Sequence, residues 1–356
     1  MELLNLLTKA IEKGASDLFL IAGAPPSYRK DGKVIDTGDD PLSAAQVEDL
    51  VTSIYSYTKG RAMGDLQQKG DDDFSFSLPG IGRFRANTFR QRGTLAAVIR
   101  TVYFDLPNPN QLNIPTVVME LTSLTKGLVL VTGPAGSGKS TTLACMVDKI
   151  NNNRPAHIVT MEDPIEFIHR HKKSIVTQRE INNDTQNYAS ALRASLRQSP
   201  DVILVGEMRD FETIEIAMMA AETGQLVLST LHTNGAANTI DRVLNTFPPN
   251  QQPQIRVQLS MVLQAVVTQQ LIPALDGGLV PAFEIMLLTP AIRNLIREGK
   301  VHQIDSAIFS GSSMGMVTMD QSLLSLYQQK RISEDEALRH CTNLEEMRKR
   351  LEIGPS

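Results

Sequence analysis

The chain has 356 residues, with 35 Lys+Arg against 39 Asp+Glu for a net charge of -4, 42% apolar residues and two cysteines, Cys145 and Cys341. That length implies two or three structural units. The near-neutral balance excludes a global cationic field for nucleic acid or acidic membrane, and two cysteines cannot build a disulfide framework or a four-cysteine zinc site. The opening segment carries Glu2 and Glu12 with no basic start, so it does not read as a signal peptide. No run reaches the roughly 18 consecutive apolar residues of a membrane-spanning helix, so the expectation is a cytoplasmic chain without membrane insertion.

In chain order, Leu3, Leu7, Ala10 and Ile11 share one helical face, and Gly14 stands where that helix would stop. A short strand from Asp17 to Ala22 follows, then a Gly/Pro turn, then a hairpin through Lys30-Asp31-Gly32-Lys33. Phe74 and Phe76 alternate with polar residues after Asp71-Asp72-Asp73, and Arg83 to Arg90 alternates again with its arginines outward. Residues 1–103 thus read as a small α+β domain with a basic strand face. Residues 104–115 hold Pro107, Pro109 and Pro115, a composition suited to a stiff linker.

The rhythm then changes. Apolar runs at Gly127–Thr132, His157–Met161, Val202–Val205 and Leu226–Leu231 alternate with longer helical stretches, which predicts a parallel sheet in an α/β core over residues 116–289. Ala282–Leu288 adds a further strand. Residues 290–356 are helical, polar and broken by loops, and read as a C-terminal helical subdomain.

Gly133-Pro134-Ala135-Gly136-Ser137-Gly138-Lys139-Ser140 satisfies G-x-x-x-x-G-K-[ST], between a strand and a helix that begins near Thr141. Glycines let backbone N–H groups turn toward phosphate oxygens, Lys139 is suited to neutralise the β and γ phosphates, and the Ser140 hydroxyl is suited to Mg²⁺. ATP with Mg²⁺ is the expected ligand.

Ligands of open α/β sheets bind beyond the carboxyl ends of the strands. Three of those ends carry polar groups: Glu162-Asp163 after one strand, Gly206-Glu207 after the second, His232-Thr233 after the third. Each has a plain alternative. Glu162 or Asp163 would serve as turn or capping residues, Glu207 as a partner for Arg209, and His232 as a satisfied, partly buried histidine. Their convergence beside a phosphate loop favours catalysis. Elsewhere, His169-Arg170-His171 would suit a metal only on a strand, and the adjacent Lys172-Lys173 favours a solvated turn. Met208, Met218 and Met219 read as core filler. Arg193 and Arg197 read as one face of a helix begun by Asp184, and Cys145 as a small buried residue.

At these residues the chain resembles the secretion ATPase superfamily, and within it the type IV pilus retraction (twitching motility, PilT-type) ATPases. Gly133–Ser140 is similar to their Walker A loop, and Thr160–Phe167 to their aspartate box. Val202–Asp210 is similar to their Walker B segment, Ser229–Thr233 to their histidine box, and Ala291–Lys300 to a C-terminal helix motif of the retraction branch. The resemblance implies a PAS-like α+β N-terminal domain followed by a RecA-like P-loop ATPase core with a helical C-terminal subdomain. It also implies a homo-hexamer docked on an inner-membrane pilus platform protein.

By the same resemblance, Glu162 is the general base, Glu207 acts on Mg²⁺ or its water, and His232 couples the γ-phosphate to subunit movement. Arg83, Arg85, Arg90 and Arg92 are the candidates to approach nucleotide from the N-terminal domain, against the plainer reading of a solvated or interface face. Phe19 stands where many members have histidine, and Gln198-Ser199-Pro200-Asp201 replaces Glu-Asp-Pro-Asp, so a main retraction ATPase and an accessory paralogue both remain open. The competing readings are a pilus-assembly or type II secretion ATPase, and a RecA-like nucleic-acid translocase.

Overall fold

The computed structural model describes residues 2–30, 32–58, 60–102, 106 and 108–352; Asp31 of the expected hairpin, and Tyr103–Asp105 and Pro107 around the expected linker, lie outside them. The chain divides into two compact units, Met1–Asp105 with Pro164–Ile168, and Leu106–Asp163 with His169–Ser356.

The first unit contains α1 (Leu3–Glu12), β1 (Asp17–Ile21), β2 (Ser27–Lys30), β3 (Lys33–Asp36), α2 (Ala44–Ser56), α3 (Gly64–Lys69), β4 (Asp71–Leu78), β5 (Gly82–Gln91) and β6 (Thr94–Val102). Its strands form one antiparallel sheet, ordered β3-β2-β1-β6-β5-β4. Leu3, Leu6, Leu7 and Ala10 recur at helical spacing in α1, and Val47, Leu50, Val51 and Ile54 do so in α2. These stripes are buried in one core with Phe74, Phe76, Phe84 and Ile99 of the sheet. Phe76 and Phe84 are cross-strand partners with ring centroids 5.3 Å apart. Beneath α2, buried Asp72 accepts two hydrogen bonds from the Arg61 guanidinium (3.0 and 2.6 Å) and one from the Tyr55 hydroxyl (2.9 Å). Burial pushes the Asp72 carboxyl up, but these donors outweigh it and hold the group below the ordinary carboxylate range.

The second unit contains α4 (Thr116–Glu120), β7 (Gly127–Thr132), α5 (Lys139–Asn153), β8 (His157–Glu162), β9 (Ile175–Glu180), α6 (Tyr188–Ser195), β10 (Val202–Val205), α7 (Phe211–Glu222) and β11 (Leu226–Leu231). It continues with α8 (Ala236–Asn245), α9 (Gln252–Val262), β12 (Leu263–Pro273), β13 (Leu279–Leu287), α10 (Pro290–Glu298), α11 (Ile304–Ser310), α12 (Met319–Gln328), α13 (Glu334–His340) and α14 (Leu344–Glu352). The sheet order is β13-β12-β7-β11-β10-β8-β9. All neighbours run parallel except β12 with β13. Every residue of β7, β10 and β11 is buried, because helices cover both faces and leave no solvated side for alternation.

Several sequence expectations need correction. Strands β9 and β12 were not anticipated: β9 is an edge strand with an exposed Ile175, and β12 follows α9 with no breaking residue between them. Helix α6 is begun by Asn187, whose side chain accepts from the Ser190 N–H at 2.8 Å, whereas Asp184 binds the Glu180 N–H. The helix ends at Ser195, so Arg197 lies past it, and Arg193 pairs with Glu212 at 2.6 Å. Met208 and Met218 are buried, but Met219 turns to solvent.

The C-terminal helices are tied to the sheet by a carboxylate. Glu284, buried on β13, accepts from the Ala236 N–H that opens α8 (2.7 Å) and from the Met319 N–H that opens α12 (3.3 Å). One side chain thereby satisfies orphan donors of two helices. Burial pushes its carboxyl up despite these two bonds.

Candidate active site

The phosphate loop links the end of β7 to the start of α5. Gly133 has φ +136, and a Cβ there would overlap the main-chain carbonyl of Gln269 and lie 2.8 Å from the Ser137 hydroxyl. Only glycine fits this position. The α5 N-terminus has no side-chain cap, which leaves its first N–H groups for an anion. Ser137 is buried with its hydroxyl unpartnered among the described residues. Lys139 is buried as well, its ammonium donating to the Gly133 and Pro134 carbonyls at 2.9 and 2.7 Å. Pro134, Ala135, Gly136 and Ser140 are exposed, while Gly138 and Thr141 are half-buried.

Strand β12 forms the shelf under this loop. The Gln269 side-chain carbonyl accepts from the Thr142 hydroxyl at 2.7 Å, and the Thr268 and Thr132 hydroxyls pair at 2.8 Å. Nothing local in the chain signals this support, because Thr142 and Gln269 are 127 residues apart.

The expected catalytic groups lie at the carboxyl ends of adjacent strands. In the order β7-β11-β10-β8, His232 follows β11, Glu207 follows β10 and Glu162 closes β8. At a strand spacing of about 4.8 Å, the ends of β7 and β10 are separated by roughly 10 Å. Glu207 Oε2 is shared by Arg209 Nε at 2.7 Å and His232 Nε2 at 3.3 Å, so its pairing with Arg209 and its place beside the histidine coexist. The Glu207 hydrogen bond pushes the Arg209 guanidinium up. Glu162 Oε1 accepts from the Thr160 hydroxyl at 2.6 Å and from the Gln178 amide at 3.2 Å. Gln178 is itself fixed by the His169 N–H at 2.8 Å.

Gly206 explains how the β8 and β10 ends come together. Its N–H donates to the Met161 carbonyl at 2.8 Å, and a Cβ there would sit 3.1 Å from that carbonyl and 2.8 Å from the Tyr188 hydroxyl. The phenol of Tyr188 is pushed up by burial and then by the charges of Glu207, Asp163 and Glu162. Sequence reading missed this tyrosine, since it lies in a helix and not at a strand end.

The four arginines do not form one patch. Arg83 and Arg85 share a face of β5, Arg90 has the opposite parity, and Arg92 sits in the β5–β6 turn at φ +48. Arg85 forms a bidentate pair with Asp73 on β4, and Arg83 reaches the Ser77 hydroxyl at 3.4 Å. The acids absent from the arginine segment come from the neighbouring strand.

The histidines of 169–171 also depart from a solvated turn. His169 is buried with Nδ1 unpartnered among the described residues, and burial pushes it down to about 4. The His171 ring accepts from the Val176 N–H at 3.1 Å. Among the described residues no group of three or more His, Cys, Asp or Glu could hold a metal ion.

The chemistry of the site fits a nucleotide with Mg²⁺: a glycine cradle, an orphaned serine hydroxyl, an uncapped helix, and hard oxygen donors at Ser140 and Glu207. A metal held mainly by phosphate and water oxygens requires no dedicated protein cluster.

The type II/IV secretion system protein family model matches residues 2–280. The type IV pilus retraction ATPase PilT of Pseudomonas aeruginosa is 49% identical, covering 95% of this chain and 97% of its own. The type IV pilus ATPase PilU of the same organism is 40% identical over 99% and 92% of the two chains. A crystal structure of the pilus retraction motor PilT with bound ADP superposes with TM-score 0.90 at 47% identity, covering 98% of this chain and 99% of that one. The chain belongs to the type II/IV secretion system protein family, in its branch of pilus-retraction ATPases.

Proposed function

We propose that this protein is a Mg²⁺–ATP-hydrolysing motor that powers type IV pilus retraction as a homo-hexamer docked on an inner-membrane platform protein. The observation that carries this reading is the alignment, on consecutive parallel strands of one sheet, of the phosphate cradle, His232, Glu207 and Glu162. Gly133 to Thr141 bind the phosphates, with Lys139 leaving the loop carbonyls to neutralise them and Ser137 finding its missing partner there. Ser140 and Glu207 would hold Mg²⁺, which would supply charge neutralisation on the phosphate oxygens. Glu162, held by Thr160 and Gln178, accepts the proton of the attacking water. His232, already against Glu207, registers whether the γ-phosphate is present.

The greater similarity to the PilT relative than to the PilU relative supports a main retraction ATPase over an accessory paralogue. Deleting the gene tests the assignment. Hyperpiliated, non-twitching cells are expected, whereas loss of pili would move the protein to assembly. Stimulation of ATP hydrolysis by DNA, falling steeply with salt, would favour a translocase instead.

A further inference from the structure

Tyr188 is the first residue of α6, set by the Asn187 cap, and its ring packs against the main apolar core of the second unit. Its hydroxyl reaches the junction of β8 and β10, where the bare Gly206 leaves it room beside the Met161 carbonyl and the Glu162 Cα. The charged groups acting on it are Glu207, Asp163, Glu162 and, with opposite sign, Arg209. Yet the hydroxyl takes no hydrogen bond among the described residues. A polar atom at this junction, under the charge of three carboxylates and bonded to none of them, is placed to hold a small bridging molecule. Water is the molecule of that size which the reaction consumes.

Resting on the hydrolase reading above, we infer that the Tyr188 hydroxyl is a positioning group for the hydrolytic water, donating a hydrogen bond to water held between Glu162 and Glu207. The phenol gains and loses no proton. The water's oxygen forms the new bond to the γ-phosphorus, the bond from that phosphorus to the bridging oxygen breaks, and the water's proton passes to Glu162. A neutral donor suits this place, because a phenolate among three carboxylates would be strongly disfavoured, and a cation would pair with a carboxylate instead of binding water.

The test is steady-state ATP hydrolysis by the full chain and its Tyr188→Phe variant, with thermal unfolding in parallel. Phenylalanine keeps the ring packing and removes only the oxygen. The expected result is an about tenfold lower kcat with KM for Mg-ATP within about twofold, the size of one lost hydrogen bond. The melting temperature should not change. A kcat within about twofold of wild type overturns the inference, as does a rise in KM alone, or a parallel loss of stability and activity. If wild type itself fails to hydrolyse ATP, the hydrolase reading falls; if wild type turns over and Tyr188→Phe matches it, only this inference falls.

Discussion

The Thr142 hydroxyl donates to the Gln269 side-chain carbonyl at 2.7 Å, joining the first turn of α5 to β12. The same glutamine's main-chain carbonyl closes the space beside Gly133. The phosphate loop is therefore shaped from below by a strand that carries none of the recognised motif. Gln269→Ala would leave the buried Thr142 hydroxyl unpaired, a penalty of about 1–2 kcal/mol. Nucleotide titration should show affinity several-fold weaker, with kcat at saturation little changed. Gly133→Ala, whose clash is with backbone, should abolish binding; normal affinity there would refute the shelf.

Lys139 and Glu207 should separate binding from chemistry. Lys139→Ala is expected to remove measurable turnover, and retained ATP hydrolysis would sink the phosphate-loop assignment. Glu207→Gln keeps the side chain's size and its place beside Arg209 and His232. It should still bind ATP while hydrolysing it about 100-fold more slowly or worse. Wild-type turnover in that variant would place the role elsewhere.

His169 predicts an acid-sensitive second unit. Its folded-state value of about 4 lies below the ordinary 6.5, so the unfolded chain takes up a proton that the folded chain refuses. The neutral ring's contribution is complete above pH 6.5 and is lost as pH falls toward 4. Between pH 7 and pH 5 this group alone should cost about 2 kcal/mol of stability. Denaturant unfolding at the two pH values should show that loss in wild type and a smaller one in His169→Gln. Equal losses would mean that the histidine does not control it.

Glu284 tests the attachment of the C-terminal helices. Glu284→Ala orphans the N–H groups of Ala236 and Met319 and should destabilise the protein by about 3 kcal/mol. Glu284→Gln keeps one acceptor oxygen, but its amide NH2 then faces the other helix-start N–H, so thermal melts should place it between wild type and the alanine variant, about 1–2 kcal/mol below wild type. A glutamine variant as stable as wild type would show that acceptance by both oxygens is not what ties the two helices to β13.

The legible parts of this protein are those whose chemistry is contiguous along the chain. The phosphate loop needs glycines, a lysine and a serine at fixed short spacing, and β7, β8, β10 and β11 needed only apolar runs long enough to be buried on both faces. Helix α1 announced itself by period, and its glycine stop followed from a left-handed backbone at Gly14 (φ +64). Polar groups at strand ends were visible for the same reason: each directly follows its strand.

What stayed hidden depends on neighbours distant in sequence. Strand β12 breaks its apolar pattern with Gln269, whose side chain bonds Thr142 of α5, and with Gln270, whose side chain meets His340 of α13. Arg85 looked unpaired until β4 brought Asp73 against it. Glu284 reads as an ordinary polar residue until two helix starts converge on its carboxylate. The Tyr188 hydroxyl acquires its surroundings from two separate segments, the ends of β8 and β10, neither of which specifies the other. Periodicity and short motifs record burial and local backbone geometry; a polar atom's partners are chosen by packing, and packing exists only once the sheet has closed.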